Sequence, residues 1–127
     1  MSINNKIGIW MDHSKANLFA VKNNVEFIST IKNDFDHTQM QAALDKGESL
    51  MQNKRQQHQE EFYTALKTQI INYNEVLLFG PTNAKTELLN LLLADLKFMN
   101  IIIKIEPADK MTDPQKEAFV KDYFSGM

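Results

Sequence analysis

The sequence predicts an α/β fold around a mixed five-stranded sheet, and three of its features carry that prediction. The first is Val76-Leu77-Leu78-Phe79-Gly80-Pro81, a continuous apolar run cut off by glycine and proline. An unbroken run of this length reads as a strand covered on both faces, and Gly-Pro stops it and turns the chain. The second is the leucine series Leu88, Leu89, Leu92, Leu93 and Leu96, widened by Leu91, at the spacing of one helical face. Strand, tight loop and leucine-rich helix make half of a crossover unit. Its loop lies at the carboxyl end of the strand, where open α/β sheets bind ligands. The third is the start of the chain, where short segments of strand character alternate with polar turns.

In chain order, residues 6–11 read as a strand ending in Trp10-Met11, and Asp12-His13-Ser14-Lys15 as a polar turn. Residues 16–21 return antiparallel. Lys22-Asn23-Asn24 turns again, since asparagine tolerates left-handed backbone, and 25–31 make the third strand. Residues 32–50 read as loop-like and mobile, with a short helix over 38–44. A long helix follows over 50–73. Its second part carries Phe62, Leu66, Ile70 and Tyr73 on one stripe and packs on the core. Its first part, residues 52–61, has no apolar side chain, so it projects into solvent or faces a polar partner. Gln, Lys, Arg and Glu still favour helix there.

Thr82 or Asn83 caps the leucine helix, because a short side-chain oxygen accepts from the free amides of a first turn. Asn100 separates that helix from a last strand at 101–105. The final helix starts at Thr112-Asp113-Pro114-Gln115, with Asp113 as cap and Pro114 at the first helical position. Ala118, Phe119, Tyr123 and Phe124 form its buried side. The order β-β-β-α-β-α-β-α fits an RNase-H-like topology, with the first strand central and the fourth beside it. Residues 1–127 read as one domain, a size that buries a real core.

Composition sets further bounds. A formal net charge of -2 gives no overall pull toward nucleic acid, so RNA binding needs a local basic patch. The absence of cysteine excludes disulfides, thiolate metal sites and a cysteine nucleophile. No apolar run approaches the ~18 residues of a membrane span, and residues 1–6 lack the build of a signal peptide. The reading is a cytoplasmic protein that does not enter membranes.

Three blocks, Gly8-Ile9-Trp10-Met11-Asp12-His13-Ser14-Lys15-Ala16, Phe79-Gly80-Pro81-Thr82-Asn83-Ala84-Lys85-Thr86-Glu87-Leu88 and Glu106-Pro107-Ala108-Asp109-Lys110-Met111-Thr112, carry a resemblance. With them the chain resembles the central domain of archaeal and eukaryotic class-one peptide-release factors and of the Pelota rescue factor. It is similar, more closely, to stand-alone bacterial proteins of that superfamily. The resemblance spans nearly the whole chain and implies a release-factor central-domain-like fold and work on the ribosome, with tRNA or rRNA as partner. One departure bears on activity. The release factors carry a Gly-Gly-Gln tripeptide before the long polar helix. Here that place reads Asp45-Lys46-Gly47-Glu48-Ser49-Leu50-Met51-Gln52, so peptide release does not carry over.

Metal-ion nuclease chemistry needs several carboxylates around the phosphate. Asp12 at the end of the first strand has no second acid on the fourth strand beyond Glu75, so it reads as a turn former beside a surface His13. Gly80-Pro81-Thr82-Asn83-Ala84-Lys85-Thr86 is one residue shorter than a P-loop, has Ala84 in place of glycine, and loses an amide at Pro81. A looser anion site at that helix start would use Thr82, Asn83 and Lys85. His13, His37 and His58 show no ligand spacing, so no metal and no cofactor is expected. Trp10 and the leucines of the middle helix read as core, and the number of leucines also allows a dimer face.

Lys54, Arg55 and His58 share nearly one helical face and are the candidate ribosome- or RNA-binding residues, set against a merely solvated face. Three functions follow. The first is a translation-associated binding protein. The second is a peptidyl-tRNA or related ester hydrolase using Glu48 or Gln52. The third is a regulatory domain binding an anion or nucleotide at the loop from Gly80 to Lys85.

Overall fold

The architecture comes from a computed structural model, which describes residues 5–33 and 48–125, with residues 48–55 described by backbone alone. The strands are β1 (Lys6–Met11), β2 (Lys15–Val21), β3 (Val25–Lys32), β4 (Glu75–Gly80) and β5 (Ile102–Pro107). The helices are α1 (Glu48–Ile70), α2 (Ala84–Leu93) and α3 (Asp113–Ser125), with a 3-10 turn at Leu96–Phe98. The short helix expected at 38–44 lies outside the described residues. Glu48 and Ser49, expected in the loop, already belong to α1, which ends at Ile70 rather than Tyr73.

The five strands lie in the order β3-β2-β1-β4-β5, with β1 central as the topology predicts. β1 runs antiparallel to β2, pairing Ile9 with Leu18, and parallel to β4, pairing Ile9 with Leu78. β5 extends the parallel half beside β4. Alternation along the strands separates two cores. Ile7, Ile9 and Met11 of β1, with Val76 and Leu78 of β4, face Phe62, Leu66 and Ile70 of α1 and Leu88 and Leu92 of α2. Trp10, Phe19, Leu77 and Phe79 face Val120 and Phe124 of α3. Each fully buried leucine or isoleucine contributes roughly 1.5–3 kcal/mol over the exposed state.

α3 reaches the sheet through Gly8, where an added Cβ would meet Val120 Cγ2 at 2.5 Å. Val120 is therefore the centre of the buried side, while Phe119 and Tyr123 are half-buried and Ala118 is exposed. Lys116 is buried as well. Its ammonium donates to Asn17 Oδ1 at 2.7 Å and lies 3.8 Å over the Trp10 ring. A buried charge is tolerated only with such partners. The α3 cap is Thr112 rather than Asp113. Thr112 Oγ1 accepts from the Gln115 amide at 3.3 Å, and Gln115 Oε1 accepts from the Thr112 amide at 2.9 Å. These reciprocal bonds form a capping box.

The leucine helix also departs from its expected extent. α2 stops at Leu93, and Asp95 in extended backbone caps the next short turn by accepting from the Lys97 amide at 3.0 Å. Phe98 enters the core beyond this break, where it is 4% exposed. Leu93 and Leu96 end up 71% and 81% exposed, and Leu91 is also on the surface. Only Leu88 and Leu92 of the series are buried.

Candidate functional site

β1 and β4 end side by side, and their carboxyl ends open under α1 and α2. Asp12 shapes the first loop: its Oδ1 accepts from the Ser14 amide, the Ser14 hydroxyl and the Lys15 amide at 2.8–2.9 Å. These bonds use Asp12 as a turn former and hold His13 at the surface, as the sequence reading has it. Asn33, at the end of β3, pins the same loop by donating from Nδ2 to the His13 carbonyl at 3.1 Å.

From this loop His13 reaches α2, where its Nε2 lies 3.4 Å from Glu87 Oε2. The other oxygen of Glu87 accepts from the Tyr63 hydroxyl of α1 at 2.6 Å. Tyr63 is 4% exposed, next to Phe62 of the core stripe. Burial, the hydrogen bond to Glu87 and the Glu87 charge all push its phenol well above the ordinary value, while Gln59 opposes them. One carboxylate thus ties the β1 loop, α1 and α2 together at the mouth of a cleft of about 610 Å³.

Gln56, Gln59, Glu60, Asn90 and Leu91 complete the cleft walls. Among the described residues the cleft offers carboxamides, two carboxylates and an imidazole, and no lysine or arginine lines it. These walls suit hydrogen-bonding or cationic groups. Among the described residues no group of three or more His, Asp or Glu side chains comes together as a metal site.

The structure separates the residues singled out from sequence. Thr82 and Asn83 lie in the β4–α2 loop, and Lys85 belongs to the first turn of α2. Asn83 takes the cap position without a side-chain cap bond, and Thr82 Oγ1 accepts from the Ala84 amide at 3.2 Å. Lys85 is buried as a residue, and its ammonium donates to the Thr82 carbonyl at 2.6 Å. Glu48, Gln52, Lys54, Arg55 and His58 lie on consecutive turns of α1, toward its amino end. His58 is half-buried, 3.8 Å from Glu61 Oε2, in a small cleft with Lys32 and Phe62. Sequence reasoning missed Glu87 and Tyr63 as partners. They are 24 positions apart, and no periodicity links a carboxylate on one helix to a phenol on another.

The match of this architecture to solved structures decides the fold comparison. Pelota of Archaeoglobus fulgidus superposes with a TM-score of 0.59 at 13% identity, over 93% of this chain and 31% of that one. Pelota of Thermoplasma acidophilum gives 0.60 at 14%, over 94% and 32%. The archaeal translation termination factor aRF1 gives 0.57 at 13%, over 97% and 39%.

The chain has a Pelota-like fold. It spans about a third of the length of the structures it matches. No family model and no curated protein matches it. The comparison therefore rests on architecture, which the Pelota and aRF1 structures share with this chain across nearly its full length. Among the described residues no helix is long and apolar enough to cross a membrane.

Proposed function

We propose that the protein is a translation-associated binding protein that docks on ribosomal or other structured RNA through the amino-terminal half of α1. The supporting observation is the Pelota- and aRF1-like fold, whose relatives are named as a Pelota protein and a translation termination factor, joined to a helix with two chemically distinct halves. The second half carries Phe62, Tyr63, Leu66 and Ile70 into the core. The first half carries no apolar residue from Gln52 to Glu61 and holds Lys54, Arg55 and His58. A 23-residue helix is roughly 34 Å long at 1.5 Å per residue, so its core-packed end can carry the turn of Lys54 and Arg55 to a partner.

In this reading the protein works in the cytoplasm, as a relative of the release and rescue factors, and binds rather than cleaves. Lys54 and Arg55 supply phosphate contacts, which carry affinity and make it salt-dependent. The test is fluorescence anisotropy with a labelled RNA hairpin across a salt series. Wild type should bind at low salt, and Lys54→Glu/Arg55→Glu should lower the log–log salt slope by about 1.4–1.8, as for two lost phosphate contacts. An unchanged slope would remove α1 as the interface.

The β4–α2 loop supports a second, smaller reading as an anion site. The Lys85 ammonium would exchange the Thr82 carbonyl for a bound anion. A thermal shift with inorganic phosphate that disappears in Lys85→Ala supports this site, and no shift in wild type removes it.

A further inference from the structure

A second face of the molecule concentrates positive charge in a chain whose net charge is -2. A groove of about 510 Å³ runs between the β2–β3 turn and α3, at the end of the sheet where β1 begins. Lys6 comes from the start of β1, Lys22 from the turn and Lys121 from the outer side of α3. Lys22 and Lys121 are exposed and make no ion pair among the described residues. The Lys6 ammonium sits 5.7 Å over the Phe124 ring rather than against a carboxylate. Among the described residues Glu117 is the one acid along the groove, and Asn23 and Asn24 add neutral donors at its rim.

We propose that this groove is a second RNA contact, taking the phosphate backbone of a structured RNA without reading its bases. The inference rests on the RNA reading above and deepens it. Three ammonium groups spread along a groove match a repeating anion, and lysine and asparagine are ordinary phosphate donors. Reading of unstacked bases uses open aromatic faces, and Phe124, the aromatic ring in this groove, is buried under Lys6. A protein partner would need a buried apolar anchor at the centre of its interface, which the same buried ring does not offer.

The chain geometry separates the two contacts. α1 delivers its carboxyl end to β4, whose Glu75 pairs with Lys6. The amino end of α1 therefore lies toward the opposite end of the sheet, roughly the 34 Å helix length away. Contacts that far apart engage one RNA only where it is large or folded, which suits a ribosomal surface.

The experiment is the same anisotropy titration of the full chain with the RNA hairpin, extended to purified ribosomes by co-sedimentation. Wild type is compared with Lys22→Glu/Lys121→Glu, with the neutral Lys22→Gln/Lys121→Gln, and with Lys54→Glu/Arg55→Glu. Thermal melts establish that each variant is folded. The expected result is a loss of at least about tenfold in affinity at low salt for the charge-reversed groove, with the salt slope reduced by about 1.4–1.8. The neutral variant should show the same slope reduction.

A groove variant that binds as wild type does, while the α1 variant fails, overturns the groove and leaves the RNA reading standing. The reverse pattern supports the groove and removes α1. Absence of wild-type binding to RNA and ribosomes at low salt overturns both. Binding to polyglutamate as tight as to the hairpin, lost in the same variants, would assign the groove to an acidic protein and overturn the RNA assignment.

Discussion

Glu87 takes on the Tyr63 hydroxyl and the His13 ring at once, so its loss strands a buried donor. Glu87→Ala should cost about 1–3 kcal/mol in urea unfolding, the penalty of an unsatisfied buried group. Tyr63→Phe in the same chain should recover part of that loss, because the stranded hydroxyl is gone. A cost of the double variant equal to or above the sum of the singles would contradict the tie. The same phenol sets a pH dependence. Its folded pKa lies above the unfolded value, so its contribution is complete below the ordinary phenol value of 10.0 and is lost as pH rises above it. Unfolding series from neutral pH to beyond that value should show a shallower loss in Tyr63→Phe. At the opposite sheet face, Gly8→Ala drives a methyl into Val120 and should cost about 1–3 kcal/mol. Val120→Ala should tolerate Gly8→Ala far better than Val120 does, and equal penalties in the two backgrounds would refute the contact.

At the scale of elements, the leucine helix shows what periodicity can and cannot give. The i, i+4 pair Leu88 and Leu92 is core, as the spacing implies. Leu96 fits the same spacing on paper, but the helix stops at Leu93 and Asp95 caps the next turn before the face can continue, while Leu93, still inside the helix, points to solvent. A cap in the middle of an apolar series is a stronger signal than the series. Leu88→Ala should therefore cost about 2–5 kcal/mol, and Leu96→Ala should stay within about 0.5 kcal/mol of wild type. Thermal or urea unfolding of the pair checks both. The start of α3 was legible as Thr-Asp-Pro-Gln, but the choice of cap turned on Gln115, whose side chain returns to the Thr112 amide. Thr112→Ala should cost about 0.5–2 kcal/mol, more than Asp113→Ala.

For the whole molecule, strand order was legible because each strand carries its own signal. Three short strands with polar turns, then two apolar runs each followed by a helix, leave few sheets to build. The buried Lys116 was not legible, since nothing in the sequence places an ammonium of α3 over a β1 tryptophan and against a β2 asparagine. The cleft was not legible, since the sequence pointed to the loop from Gly80 to Lys85 and none of those residues lines it. Its chemistry depends on Tyr63 and Glu87 meeting across two helices. The apolar and polar halves of α1 were read from composition, and the apolar half packs as expected through Phe62, Leu66 and Ile70. The functional account depends on the other half. Co-sedimentation with purified ribosomes at low and moderate salt tests it most directly, comparing wild type with Lys54→Glu/Arg55→Glu. The account predicts salt-sensitive binding by wild type that the variant loses. Equal binding by both proteins, or none by wild type at low salt, would contradict it.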